Sequence, residues 1–139
     1  MTAAIRTVTY FDSTFDDAMV LTREARDYLA YQKNADLEGL GPVCRMAASC
    51  ESMRMTARMT QVVAWLLIQR AVHAGDLTRK QAVETKFRLA GQEICDDIEP
   101  LAAEPLPERL AELLVRSHLM YQRVARLDAM LDSQQIFTG

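Results

Sequence analysis

The chain of 139 residues is long enough for one domain and its core, but not for two. Its 16 basic and 19 acidic side chains leave a net charge of −3, which argues against the basic face of a nucleic-acid binder. Glycine plus proline comes to 9 residues, and alanine plus leucine supply 35 against 14 valines and isoleucines, so a mostly helical domain is expected.

Residues 1–12 carry β-branched residues without a helical period and read as an amino-terminal tail. Ser13-Thr14-Phe15-Asp16 resembles a capping box, with Asp in place of Glu. It opens a first helix over roughly 13–34, whose stripe Ala18, Leu21, Ala25 and Tyr28 is widened by Phe15, Met19 and Leu29. Gly39-Leu40-Gly41-Pro42 breaks the chain. A second helix follows over about 43–74, closed by Gly75. Thr78 and Gln81 form a further capping box. A shorter third helix carries Val83, Phe87, Ala90 and Ile94 on one face, with Ile98 as a possible extension. After Pro100, Pro105 and Pro107 comes a last helix over about 107–132, with the heptad Leu110, Leu113, Ser117, Met120, Val124, Leu127 and Leu131. Residues 133–139 read as a short tail. The fold expected for 13–132 is an all-α, up-and-down antiparallel helical bundle of three long helices and one shorter one.

The second helix has two faces to cover. One is a heptad seam through Val43, Met46, Cys50, Met53, Ala57, Thr60, Ala64, Leu67, Ala71 and Ala74, which suits lengthwise packing on partner helices. The opposite face reads Ala48, Ser52, Met55, Met59, Val62 and Leu66, and from Val62 to Ile68 the helix is apolar all round. Either the other helices wrap it completely, or Met55, Met59, Val62 and Leu66 form a symmetric interface with a second copy. The homodimer is the reading taken here, since two-fold dimers are the commonest closed assembly. Between the two faces lie Glu51, Arg54, Arg58, Gln61, Gln69 and Arg70. They are either flank charges of a packed helix or the polar rim of an interface.

Enzymatic signatures are missing from the sequence. Neither His73 nor His118 has a glutamate three residues before it, as a di-iron bundle would need, and no HExxH, GxSxG or phosphate-cradling glycine loop occurs. Glu93, Asp96, Asp97 and Glu99 read as a solvated helix end. Thr78-Arg79-Lys80 hints at a helix-turn-helix, which the long apolar helix before it and the net charge oppose. Cys44, Cys50 and Cys95 form no CxxC and are expected as buried free thiols. No catalytic residue, metal or cofactor is expected. The longest uncharged stretch, Met59–Gln69, is too short to span a membrane, and the amino terminus has no secretory pattern, so the expected location is the cytoplasm.

The run from Glu51 through Ser52, Met53, Arg54, Met55, Thr56, Ala57, Arg58, Met59 and Thr60 to Gln61, followed by Trp65-Leu66-Leu67-Ile68-Gln69-Arg70-Ala71-Val72 and Gly75, resembles the RcdA family, regulators of CtrA degradation in alphaproteobacteria. Phe15, Ala18, Met19, Leu21, Glu24, Arg26, Tyr28 and Leu29 resemble its opening helix. The resemblance implies a dimeric, non-catalytic helical bundle. It further implies an adaptor in regulated proteolysis, working with the ClpXP protease, a response regulator and substrate transcription factors such as CtrA. The better-known form of the family ends in a long flexible tail implicated in protease contact. Ser133 to Gly139 are all that follow the last expected helix here, so the resemblance does not carry a tail-mediated contact over. The alternative reading, from another class, is a stand-alone dimeric bundle that binds a small ligand between helices, which a cavity lined by Met53, Ala57 and Ala64 would favour.

Overall fold

Helix α1 spans Thr2–Asp27 and widens into a π-helical turn over Tyr28–Gln32, where the N–H of Lys33 reaches back to the carbonyl of Tyr28. One more turn, α2 (Lys33–Leu37), completes the first arm. The computed structural model describes residues 2–97, 99–100 and 105–138, with side chains over 10–97, 99–100 and 105–131. Residues 2–12 are therefore helix and not a tail. The Ser13–Asp16 pattern starts nothing: Thr14 is buried and accepts a hydrogen bond from Arg123 Nη2 at 2.8 Å. Phe11 lies in the core, its ring 5.8 Å from that of Trp65.

Helix α3 spans Pro42–Ala74, close to the expected bounds. Gly41 precedes it in extended conformation, and Pro42 takes the first helical position, where its missing N–H costs little. At the far end Gly75 sits at φ +86°. The N–H of Asp76 reaches the carbonyl of Ala71 at 2.9 Å and that of Gly75 reaches Val72 at 3.1 Å, the paired bonds of a Schellman stop. The capping box at Thr78 is present, with bonds of 2.8 and 3.1 Å exchanged with Gln81.

It opens only α4, Arg79–Ala82. A 3₁₀ turn follows at Thr85–Phe87, and then α5 at Gln92–Cys95. The third helix expected here is broken at Glu84 and at Arg88, whose backbones are extended, and again at Gly91, which adopts φ +77°. Ile98 lies outside the described residues. Helix α6 spans Glu108–Thr138, with the carbonyl of Pro107 accepting the N–H of Ala111 at 2.9 Å. The expected tail is thus helical as far as Thr138, and Gly139 lies outside the described residues.

The pairing partners set the directions. Along α1, Thr14 meets Arg123 while Glu24 meets Arg116 and Arg109, so α1 and α6 are antiparallel. Phe11 reaches Trp65 and His73 near the end of α3, so α1 also runs against α3. Along α3, however, Arg58 meets Ser117 and Trp65 meets Asp128, which makes α3 and α6 parallel. The all-α bundle holds, but it is not up-and-down throughout. The α3–α6 connection, holding α4 and α5, is long enough to carry the chain back along the bundle. Ala18, Leu21 and Ala25 of α1, Tyr28 of the π-helical turn, and Leu110, Leu113, Ser117 and Val124 of α6 are buried as their spacing predicts.

Candidate interaction surface

The orientation of α3 decides which of its residues a partner can reach. Met55, Met59, Val62 and Leu66, expected at an interface with another copy, are closed inside this chain between α1 and α6, with relative exposures of 0, 4, 0 and 0%. They are core residues. Over the middle of the helix bulk favours this choice, since Met55, Met59 and Val62 fill interhelical space that Ala57, Thr60 and Ala64 would leave empty, although the exposed seam carries large side chains of its own in Met46, Met53 and Leu67.

Four of the six expected rim residues, Glu51, Arg54, Arg58 and Gln69, are buried too, and the two arginines work as a clamp. The Arg58 guanidinium, 1% exposed, donates to the carbonyls of Cys95 (2.8 Å), Asp97 (2.7 Å) and Leu114 (3.1 Å) and to Ser117 Oγ (3.3 Å). Burial, and then the nearby charge of Arg54, pull its pKa down. Arg54 forms a 2.6 Å ion pair with Glu51 and donates to the carbonyl of Glu99 at 2.8 Å. Gln61 Oε1 accepts the N–H of Ala90 at 3.1 Å. Gln69 is buried, while Arg70 is exposed and lies 4.5 Å over the ring of Phe15. Two of these six side chains, Arg54 and Arg58, therefore hold the segment after Gly91, Glu51 holds Arg54, and Gln61 holds the residue before the glycine. A buried guanidinium needs this many acceptors, because an uncompensated buried charge costs several kcal/mol.

The same segment is fastened from α6. His118 Nε2 lies 2.8 Å from the carbonyl of Asp96, so Nε2 carries the proton. Tyr121 donates to the carbonyl of Ala90 at 2.8 Å, and burial pushes its hydroxyl pKa up to about 12. Arg88 and Trp65 Nε1 each donate to Asp128 Oδ1 at 2.8 Å. This last cluster was invisible in the sequence, since no local spacing links residues 65, 88 and 128. His73 is exposed against the Phe11 ring. Only Cys95 is a buried thiol, its pKa raised first by that burial, whereas Cys44 is half-buried and Cys50 exposed. Among the described residues no three His, Cys, Asp or Glu side chains converge as a metal site would require.

The heptad seam of α3, expected to pack lengthwise, is the face left open. Val43, Met46, Met53 and Leu67 are about half exposed or more, Met53 reaching 72%. Cys50, Thr60, Ala64 and Ala74 are exposed, and Ala57 and Ala71 half-buried. Beside the seam a groove of about 700 Å³ runs between α1 and α3, walled by Met19 and Leu29 on one side and Val63, Ala64 and Leu67 on the other. Met53 and Ala57 line a second groove of about 550 Å³ with Leu29 and Lys33. Helix α6 carries a separate exposed apolar pair, Val115 and Leu119, one turn apart, with Met130 exposed farther along beyond Arg126. The surface thus offers apolar contact area on two different helices. No described helix is long and apolar enough to cross a membrane.

Over residues 3–138 the sequence matches the family described as "Protein of unknown function (DUF1465)". The structure is similar to the crystal structure of RcdA from Caulobacter crescentus CB15, with a TM-score of 0.71 and 36% sequence identity, over 87% of this chain and 89% of that one. No curated protein matches the chain.

Proposed function

The chain belongs to the RcdA family, the DUF1465 proteins, and from that membership we propose that it is a cytoplasmic, non-catalytic adaptor or scaffold in regulated proteolysis. The observation that carries this reading is the pair of exposed apolar surfaces, on α3 and on α6, in a chain whose buried Arg54, Arg58, His118 and Asp128 are engaged in holding the α3–α6 connection. An adaptor needs two such surfaces. One holds the substrate and the other the protease or its primed partner, so that cleavage gains from effective concentration while the adaptor breaks no bond. By family resemblance, the partners are the ClpXP protease, a response regulator and a transcription factor such as CtrA. Against the alternative of a small-ligand bundle, Met53, Ala57 and Ala64 line open surface grooves and not an enclosed chamber between helices.

The test is affinity capture of the tagged full chain from native lysate. Recovery of the ClpX unfoldase or a response regulator, reduced in a Leu119→Glu variant that keeps its helical circular dichroism, supports the adaptor reading. Recovery of the chain with neither of them overturns it. Charge reversal at Arg58, or a charge placed at Leu66, would be uninformative in this assay, because both side chains are buried.

A further inference from the structure

The groove between α1 and α3 has two walls with one spacing. On the first arm Met19, Thr22, Arg26, Leu29 and Lys33 follow each other at intervals of three and four. On α3 Met53, Ala57, Thr60, Ala64 and Leu67 do the same, and they are the part of the exposed seam that borders the groove. Two such rails, on two antiparallel helices, form the holes into which a further helix sets its side chains. No described residue of α6 lines the groove, which leaves its outer side to a helix from outside the chain. From Ser52 to Leu67 the α3 wall measures roughly 23 Å, the length of about 16 residues of partner helix.

The chemistry of the walls defines that helix. Every hydroxyl in them is already engaged with its own helix. Thr22 donates to the carbonyl of Ala18 and Ser52 to that of Ala48, both at 2.7 Å. Thr56 donates to the carbonyl of Ser52 at 2.9 Å and Thr60 to that of Thr56 at 2.8 Å. Bonds of this kind leave no hydroxyl donor seeking a partner in the groove. Met19, Leu29, Met59, Val63 and Leu67 therefore call for an apolar stripe, and the methionines adapt to side chains of varied shape. Charge in the groove is of one sign, since its only ionisable lining residues are Arg26 and Lys33. Arg26 pairs with Asp27 at 3.0 Å, but both side chains are more than half exposed, a setting in which an ion pair is worth little and is readily exchanged. Lys33 forms no ion pair among the described residues. We propose that this groove is the docking site for an acidic amphipathic helix of a partner protein, its apolar stripe on Met19, Leu29, Val63 and Leu67 and its carboxylates at Arg26 and Lys33. A fatty acid would meet the same charges, but the heptad spacing of both walls favours a helix. The inference deepens the adaptor reading and rests on it in taking the partner to be a protein.

The probe is a fluorescein-labelled peptide of about 16 residues, with leucine at heptad positions a and d, glutamate at e and g, and alanine elsewhere. Its counterpart carries lysine at e and g. Titrated with the full chain and followed by fluorescence anisotropy, the glutamate peptide should bind about tenfold more tightly than the lysine peptide. Ala64→Glu, at an exposed position of the α3 wall, should weaken the glutamate peptide by about tenfold or more with helical circular dichroism unchanged. Arg26→Glu combined with Lys33→Glu should invert the preference between the peptides. Equal binding of the two peptides, binding of neither, or an Ala64→Glu protein that binds as wild type would each overturn the proposal. So would oleate binding more tightly than the glutamate peptide, which marks a lipid site. Loss of peptide binding as the mass in sedimentation doubles would overturn it too, because a second copy then fills the groove. Capture of ClpX or a response regulator from lysate is a separate readout. Its failure with peptide binding intact removes the adaptor reading alone, and its success with no peptide binding removes the acidic-helix site alone.

Discussion

Trp65 on α3 donates its indole N–H to Asp128 on α6 at 2.8 Å, which fixes the parallel register of two helices 63 residues apart in sequence. The same carboxylate oxygen takes Arg88 Nε at 2.8 Å, and Asp128 is only 7% exposed. Asp128→Ala leaves a buried indole donor unpaired and removes two carboxylate acceptors of the Arg88 guanidinium. A loss of about 3 kcal/mol in urea unfolding is expected, with Asp128→Asn losing less because it keeps one acceptor.

Arg58 presents a sharper case. Its guanidinium satisfies carbonyls from the α5 region and from α6 at once, so Arg58→Met removes the donor from three buried acceptors. The expected cost is about 3–4 kcal/mol, and Arg58→Lys should recover little of it, since an ammonium cannot span that fork. Hydrogen exchange distinguishes this from general loosening. Amides of 91–97 should lose protection before those of α1.

The boundaries of α3 were legible because they rest on local chemistry: proline at the first turn, and glycine in left-handed conformation at the stop. The stripes of α1 and α6 were legible for the same reason. Three features were not. Ser13–Asp16 mimics a helix start, but the helix runs through it, with Phe11 anchored on Trp65 from far along the chain. The period through Val83, Phe87, Ala90 and Ile94 continues across Glu84, Arg88 and Gly91, and only backbone angles reveal the breaks there. Periodicity also showed that α3 has two apolar faces without telling which turns inward. Side-chain volume separates the faces only over the middle of the helix, where Met55, Met59 and Val62 outweigh Ala57, Thr60 and Ala64, and it does not decide the matter alone, because Met46, Met53 and Leu67 of the exposed seam are as large as Met55, Met59 and Leu66. The polar ladder could not be assigned from spacing, because the acceptors of Arg54 and Arg58 are carbonyls some 40 residues downstream.

Acid should loosen the α1–α6 contact. Glu24 accepts hydrogen bonds from Arg116 and from Arg109 (3.3 Å), and the Arg116 bond is the main cause holding its carboxyl below the ordinary value of 4.5. A folded pKa below the unfolded one means that protons bind the unfolded chain more readily. The contribution is therefore fully present above about pH 4.5 and is lost as the pH falls through the folded pKa. Urea midpoints measured between about pH 3 and pH 6 should fall on the acid side in the wild type, and less steeply in Glu24→Gln. Equal slopes would show that this cluster, which is partly solvent-exposed, is screened into insignificance.

Leu66 and Leu67 are chain neighbours with opposite surroundings, which makes them the direct test of how α3 is turned. Leu66 is 0% exposed among the core side chains, while Leu67 is 49% exposed on the seam. Leu66→Ala should leave a cavity and cost about 2–5 kcal/mol, with the spread set by how far the surrounding core can collapse. Leu67→Ala removes a side chain that fills no space within its own chain, so at concentrations low enough to favour single chains its cost should stay within about 0.5 kcal/mol. A reversed order at low concentration would mean that α3 is turned the other way, with the seam inward and Met55, Met59, Val62 and Leu66 facing out.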